Sequence, residues 1–364
     1  MRRVAFPAPR AQQQQQTPLF TNAKLRLAAV IIVACSILLA LPVVLSGFLL
    51  DIAILILFWS YLGSAWNILG GYTGQFSFGH AAFYGIGAYT STWLLVRHGV
   101  NPWLGMVAGG ILAALFGLGM GFVSWRYGLR GPYFALVTFA FAEVLRLFAN
   151  NWEVINGSLG LQIPLIRGNS WLAFQFEADK RPYYYIILVL LLFATLLTYV
   201  LFKTRAGFYM RAIREDEDAA AALGVNTMRY KLLAMAISAF LTALGGTFYA
   251  QYLFFIDPGI VFGSHVSIEI LIRPLVGGVG TVLGPLVGGL LLTPLSELTR
   301  TLVRNPPAFI PFAHLLQGRA GLDGILFGLL LVIVILFIPE GIIGSVRKRL
   351  DRHHGGHNRA DREL

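Results

Sequence analysis

Apolar residues come in runs close to 20 long, separated by short polar or glycine-rich breaks, along nearly the whole chain. Wound as a helix rising about 1.5 Å per residue, such a run crosses the roughly 30 Å hydrocarbon layer of a bilayer. The pattern predicts spans near 27–46, 49–69, 75–96, 103–124, 132–149, 183–202, 232–254, 264–280, 284–302 and 323–340. The fold class is therefore all-α, a polytopic integral membrane protein with about ten transmembrane helices, some broken or re-entrant. The third span reads equally as re-entrant, and the eighth and ninth are short and share glycines.

Between the spans, the polar residues divide into two kinds. Basic residues gather at Arg2, Arg3, Arg10, Lys24 and Arg26, at Arg126 to Arg130, from Lys203 to Lys231, and after Arg347. By the positive-inside rule these mark the cytoplasmic side, which places both termini there and predicts a multi-pass membrane protein. Residues 1–26, with a Gln12 to Gln16 tract, form a disordered cytoplasmic tail; 27–345 form the transmembrane domain; 346–364 form a second tail. The polar segment 150–182 falls outside and caps the outer mouth, while 203–231 is the one long charged loop inside.

Composition narrows the function classes. With 57% hydrophobic and 12% charged residues, the chain is too apolar for one soluble core. The net charge of +11 does not indicate nucleic acid, because the basic residues sit at the ends and between the apolar runs. Cys35 is the only cysteine, so no internal disulfide exists, and no metal-ligand or cofactor motif occurs. His-Glu-x-x-His and the nucleophile elbow are both missing, which argues against a membrane enzyme.

The segment Trp66 to Thr90 mixes glycines, hydroxyls, an amide and a histidine into an otherwise apolar stretch. Backbone freed by glycine, and polar groups such as Gln75, Ser77 and His80, are tolerated at membrane depth only inside protein or beside a watery path. These three residues are accordingly candidates for a translocation path, with tying a broken helix to its neighbours as the structural reading. Phe76, Phe78, Phe83 and Tyr84 would supply apolar walls for an amphipathic solute. Glycines four apart, Gly105 with Gly109, Gly117 with Gly121, and Gly280 with Gly284 and Gly288, mark helix-packing faces.

Within 203–231, the stretch Met210 to Leu223 is alanine-rich, lacks Gly and Pro, and carries acids before Ala219, which predicts one short helix ended by Gly224 and Asn226. A mixed-charge helix held between two spans is what a membrane domain needs if a soluble partner is to push on it. Asp218-Ala-Ala-Ala-Ala-Leu-Gly224 resembles the cytoplasmic EAA signature of ABC importer permeases, with Asp218 in place of glutamate and without the downstream Ile-x-Leu-Pro. Together with Gly70 to Tyr89, Arg211 to Gly224 and Gly277 to Pro285, it resembles the LivM family of branched-chain amino acid permeases across roughly residues 25–345.

The resemblance implies an ABC importer permease fold, a LivH-type sister permease, two cytoplasmic ATPase subunits beneath and an external substrate-binding protein. It also implies that Arg211, Arg214, Glu215, Asp216, Asp218, Ala220 and Gly224 couple the chain to the ATPases. Independently, none of Lys24, Lys180, Lys203, Lys231 and Lys348 follows a glycine, so the chain holds no Walker A loop and ATP hydrolysis belongs to another polypeptide. The sequence departs from the family at Arg273 and Pro274, where apolar residues are expected, and in the loop from Pro306 to Gly321. Glu269 and Arg273, four apart with the acid first, are expected to pair inside the membrane, either structurally or with a role in the substrate path or the partner interface. Urea, short amides or other amino acids are alternative cargoes, and an ion-coupled transporter using Glu143, Glu269 or His80 as proton carriers is the competing mechanism.

Overall fold

The computed structural model describes residues 36–165, 168–176 and 179–304, together with 324, 325, 328, 329, 332, 336 and 341–345. A first helix, α1, is described over 36–44, and it belongs to a separate compact unit that ends at Ser46. The second unit opens at Gly47 with α2 (Phe48–Leu69), α3 (His80–His98), α4 (Pro102–Arg126) and α5 (Pro132–Asn151). It continues with α6 (Arg181–Lys203), α7 (Arg205–Glu215), α8 (Glu217–Ala222), α9 (Thr227–Leu253), α10 (Pro258–Phe262), α11 (Ser264–Gly277) and α12 (Gly284–Arg304).

Among the described residues, seven helical stretches are long and apolar enough to cross a membrane, α10 and α11 counting as one. Their bounds fall within a few residues of the expected second, fourth to seventh, eighth and ninth spans. Most of the expected first and tenth spans, 27–46 and 323–340, lies outside the described residues, as do both tails. The third span needs correction: helix begins at His80 instead of near residue 75, because residues 70–79 leave helical geometry while remaining largely buried.

The centre is a three-helix crossing of α3, α4 and α9, against which α2 packs; α2 in turn carries α6, α11 and α12. Small residues make the crossing possible. A Cβ on Gly87 would lie 2.0 Å from the Ala243 carbonyl oxygen, one on Gly246 2.0 Å from that of Tyr84, and one on Gly109 3.1 Å from the Gly87 backbone. The paired glycines of α4 thus meet neighbouring helices: Gly105 faces Ser91, and Gly117 faces Ala239. Gly288 gives the same close approach of α12 to the Arg273 carbonyl in α11. In lipid, where apolar burial gives no net drive between helices, such backbone proximity supplies the dispersion contacts that hold them together.

One end of this unit carries residues 152–165, 168–176 and 179–180. Two short hairpin-like ladders form there, Leu161–Gln162 against Phe255–Ile256 and Asn169–Ser170 against Gln175–Phe176, both antiparallel. Trp103 stacks on Phe174 at 4.3 Å, and Tyr183 donates to the Gln251 carbonyl at 2.9 Å. Asp51 ties three helix ends, accepting from Lys180 at 2.8 Å and from Tyr252 at 2.6 Å. At the opposite end lie α7, α8 and the turn between α11 and α12.

The close crossing yields a direct test. Gly87→Leu is expected to cost about 3 kcal/mol or more through overpacking against backbone, whereas Gly119→Leu, whose Cβ meets nothing within 4 Å, stays near wild type. Thermal unfolding in detergent, followed by tryptophan fluorescence, separates the two.

Candidate functional site

The site is the non-helical stretch between α2 and α3 and what grips it. As α2 ends, Gly70 and Gly71 still donate to Trp66 and Asn67 carbonyls at 2.9 Å each, and Thr73 folds its hydroxyl back to Leu69 at 2.6 Å. Gly74 then takes φ +69, a left-handed conformation that releases the chain from helix and that glycine adopts without steric cost. Return to helix at α3 uses hydroxyls from distant helices. Thr138 of α5 accepts from the Phe78 amide at 3.0 Å, and Ser267 of α11 accepts from the Ala81 amide at 2.9 Å. Gly79, the cap residue, has no side chain to offer, so Ser267 satisfies the Ala81 amide that a local cap would otherwise take, while Thr138 satisfies the amide just before the cap.

Gln75, Ser77 and His80 are all buried, at 8%, 1% and 0% exposure, and each is held by protein. Gln75 accepts from the Trp125 indole at 3.1 Å; Ser77 accepts from Gly79 at 3.2 Å, and its carbonyl receives the Trp66 indole at 2.9 Å. His80 Nε2 lies 2.8 Å from the Ser238 hydroxyl, which sends its own proton to the Ala65 carbonyl at 2.7 Å. Ser238 has one proton, so His80 donates through Nε2, and its Nδ1 is left without a hydrogen-bond partner.

The charged segment departs from the expected single helix over 210–223. Asp216 adopts extended geometry, φ −157, ψ 111, and divides it into α7 and α8. The reason is capping: the Asp216 carboxylate accepts from the amides of Asp218 and Ala219 at 2.9 Å each, starting a new helix. Gly224, at φ +84, closes α8 as expected. Its amide reaches the Ala221 carbonyl at 2.9 Å and that of Val225 reaches Ala220 at 3.1 Å, the paired bonds of a left-handed helix stop.

Two routes run from this segment to the break. In the first, Arg214 of α7 donates to the Gly71 carbonyl at 2.7 Å while its side chain crosses Gly74 and Gly280. A Cβ on Gly280 would meet the Arg214 guanidinium, and the residue's φ of +75 is a left-handed conformation that glycine adopts without strain. Asn67 locks the same turn, accepting from the Gly280 amide and donating to the Thr281 carbonyl, both at 2.8 Å. In the second, Glu217 of α8 accepts from Lys231 at 2.6 Å, and the Lys231 ammonium lies 5.0 Å from the centre of the Trp125 ring, whose indole holds Gln75.

The remaining expected coupling residues are more peripheral. Arg211 stacks over Phe202 at 4.0 Å, Glu215 is exposed, and Ala220 is buried against the bundle. Asp218 pairs with Arg130 at 2.8 Å, and that hydrogen bond, with the charge of Glu217 nearby, raises the Arg130 pKa. Elsewhere, Arg273 pairs with Glu269 inside α11, is 1% exposed, and lies 4.4 Å from the Trp59 ring centre. The helix does not break at Pro274: it runs through to Gly277.

Asn67, Trp125, Thr138, Ser238 and Ser267 carry as much of this arrangement as the predicted residues. Each is a polar group within an apolar run, which is the available signal, but their joint target shows only in three dimensions. Glu217→Ala should leave Lys231, 3% exposed, as an uncompensated buried charge and cost about 3 kcal/mol, with Glu217→Ala combined with Lys231→Met recovering most of it. Chemical or thermal unfolding of both variants measures this.

Comparison with known proteins converges on one kind of protein. Residues 48–335 match the family model described as branched-chain amino acid transport system / permease component. The LivM permease protein of Escherichia coli K12 is 30% identical over 353 residues, covering 91% of this chain and 77% of the relative. The LivH permease protein of Salmonella typhimurium is 27% identical, covering 78% and 92%, and a probable LivM of Methanocaldococcus jannaschii is 26% identical, covering 67% and 70%. No solved structure matches the chain.

Proposed function

Since the chain belongs to the family of permease components of branched-chain amino acid transport systems, we propose that it is the membrane subunit through which an ATP-driven importer moves Leu, Ile and Val. A permease component is not itself an enzyme. In this reading ATP is hydrolysed by two separate cytoplasmic subunits, a LivH-type permease completes the membrane pore, and an external binding protein selects the cargo. The α7–α8 end faces the cytoplasm, the 152–180 end faces outward, and the membrane is a bacterial inner membrane.

The observation that carries the coupling role is the double linkage from α7–α8 to the 70–79 break. A docking element needs a surface for its partner and a stiff connection inward. The surface is there: Leu223 is 86% exposed beside exposed Ala219, Ala221 and Ala222, an apolar patch that a soluble subunit would cover. The connections are charge-assisted or buried hydrogen bonds, Arg214 to Gly71 and Glu217 through Lys231 and Trp125 to Gln75, which transmit displacement better than water-exposed contacts. Gln75, Ser77 and His80 then act beside the path, as the grip on the break that opens or shuts it.

Arg214→Gln in the reconstituted importer is expected to leave nucleotide hydrolysis running while leucine uptake per ATP falls about tenfold, the loss of roughly one charge-assisted bond. Parallel assays of phosphate release and radiolabelled leucine uptake read this ratio. Unchanged uptake per ATP would remove Arg214 from the coupling route.

A further inference from the structure

We propose that Glu143 and Arg146 of α5 form a recognition pair for the zwitterionic head of an α-amino acid, midway along the translocation path. The inference rests on the permease reading above. Glu143 is the twelfth residue of a 20-residue membrane-crossing helix, which places it about 17 Å from the helix start, near the middle of the hydrocarbon layer. The two side chains form a bidentate pair: Arg146 Nε lies 3.0 Å from each carboxylate oxygen and Nη2 2.5 Å from one.

The pair does not belong to the packed face of its helix. That face is Phe134, Ala135, Thr138, Ala142 and Ala149, whereas the Arg146 and Glu143 side chains remain 29% and 35% exposed. Ionised groups about a third exposed at this depth are strongly disfavoured against lipid, so in the assembled importer the pair needs protein or water beside it, which the path supplies. The polar positions also continue: Glu143, Arg146 and Asn150 recur at three- and four-residue intervals along one side. Asn150 then joins Asn151, Glu153, Asn156 and Ser158 around a cavity of about 370 Å³ at the end of the helix assigned to the outer face. A polar track therefore leads from that cavity to the bilayer centre.

The chemistry of the pair selects the ligand class. A guanidinium takes a carboxylate through two parallel N–H bonds, and a carboxylate takes an ammonium. An α-amino acid brings both charges on one carbon, so it opens the Glu143–Arg146 pair and re-pairs both ions at once, leaving neither bare. Exposed Phe139, Val144 and Leu147 flank the pair and offer apolar surface to an aliphatic side chain.

Two measurements on the complete importer in proteoliposomes test this. Glu143→Leu combined with Arg146→Leu, which would be harmless for a merely structural pair, is expected to cut leucine uptake by about tenfold or more while the subunits still copurify. Glu143→Cys in a Cys35→Ala background is expected to react with a charged methanethiosulfonate, more slowly when leucine is present. Wild-type uptake by the double variant overturns the proposal, and so does an inert cysteine in both nucleotide-free and ATP-bound states. The cysteine result decides if the double variant does not assemble. Failure of the permease reading is distinct: the unmodified complex would then show no ATP-dependent leucine uptake at all.

Discussion

Everything near the centre of this membrane domain follows from one constraint: a backbone that leaves helical geometry inside a bilayer must find its hydrogen-bond partners in protein. Residues 70–79 leave it, and the neighbouring helices are arranged around that need. Thr138 and Ser267 take amides at the restart of helix, the Trp66 indole takes the Ser77 carbonyl, and Arg214 takes the Gly71 carbonyl. Each donor or acceptor comes from a different part of the chain, so the break draws α2, α5, α7 and α11 into one polar assembly. Removing any one leaves a buried polar group unsatisfied, which costs about 1–3 kcal/mol.

This explains which features could be read along the chain. Span positions were legible because a run of apolar residues needs no partner to declare itself, and α4, α5, α6 and α9 begin and end close to where hydropathy changes. Packing glycines were legible for a related reason: four-residue spacing is a property of one helix alone. Gly280 is the correction: it lies in the turn before α12 at φ +75, against Arg214, and not on a packing face with Gly284 and Gly288. The polar cluster at Gln75, Ser77 and His80 was visible as an anomaly, yet the partners of Gln75 and His80 were not, since Trp125 and Ser238 lie 50 or more positions away. The start of α3 at His80 was hidden likewise, because its caps are supplied by side chains remote in sequence.

The coupling segment failed differently. Alanine richness over Met210 to Leu223, without Gly or Pro, favours helix by summed propensity, and a continuous helix was the natural reading. Local hydrogen bonding overrode it: Asp216 satisfies two amides of the next turn more effectively from an extended conformation than from within a helix. On either side of the bend, Arg214 reaches the break and Glu217 reaches Lys231.

The glycine crossing of α3, α4 and α9 has a mechanical meaning. Where side chains separate helices, rotamer changes absorb small shifts; where backbone touches backbone, as Gly87 and Gly246 do, no such slack exists. A displacement of α9 is therefore expected to carry α3 with it, since the backbones meet without intervening side chains. α5, whose buried face is Phe134, Ala135, Thr138, Ala142 and Ala149, joins the block where Thr138 accepts from the Phe78 amide, and its Glu143–Arg146 side is left off that packed face.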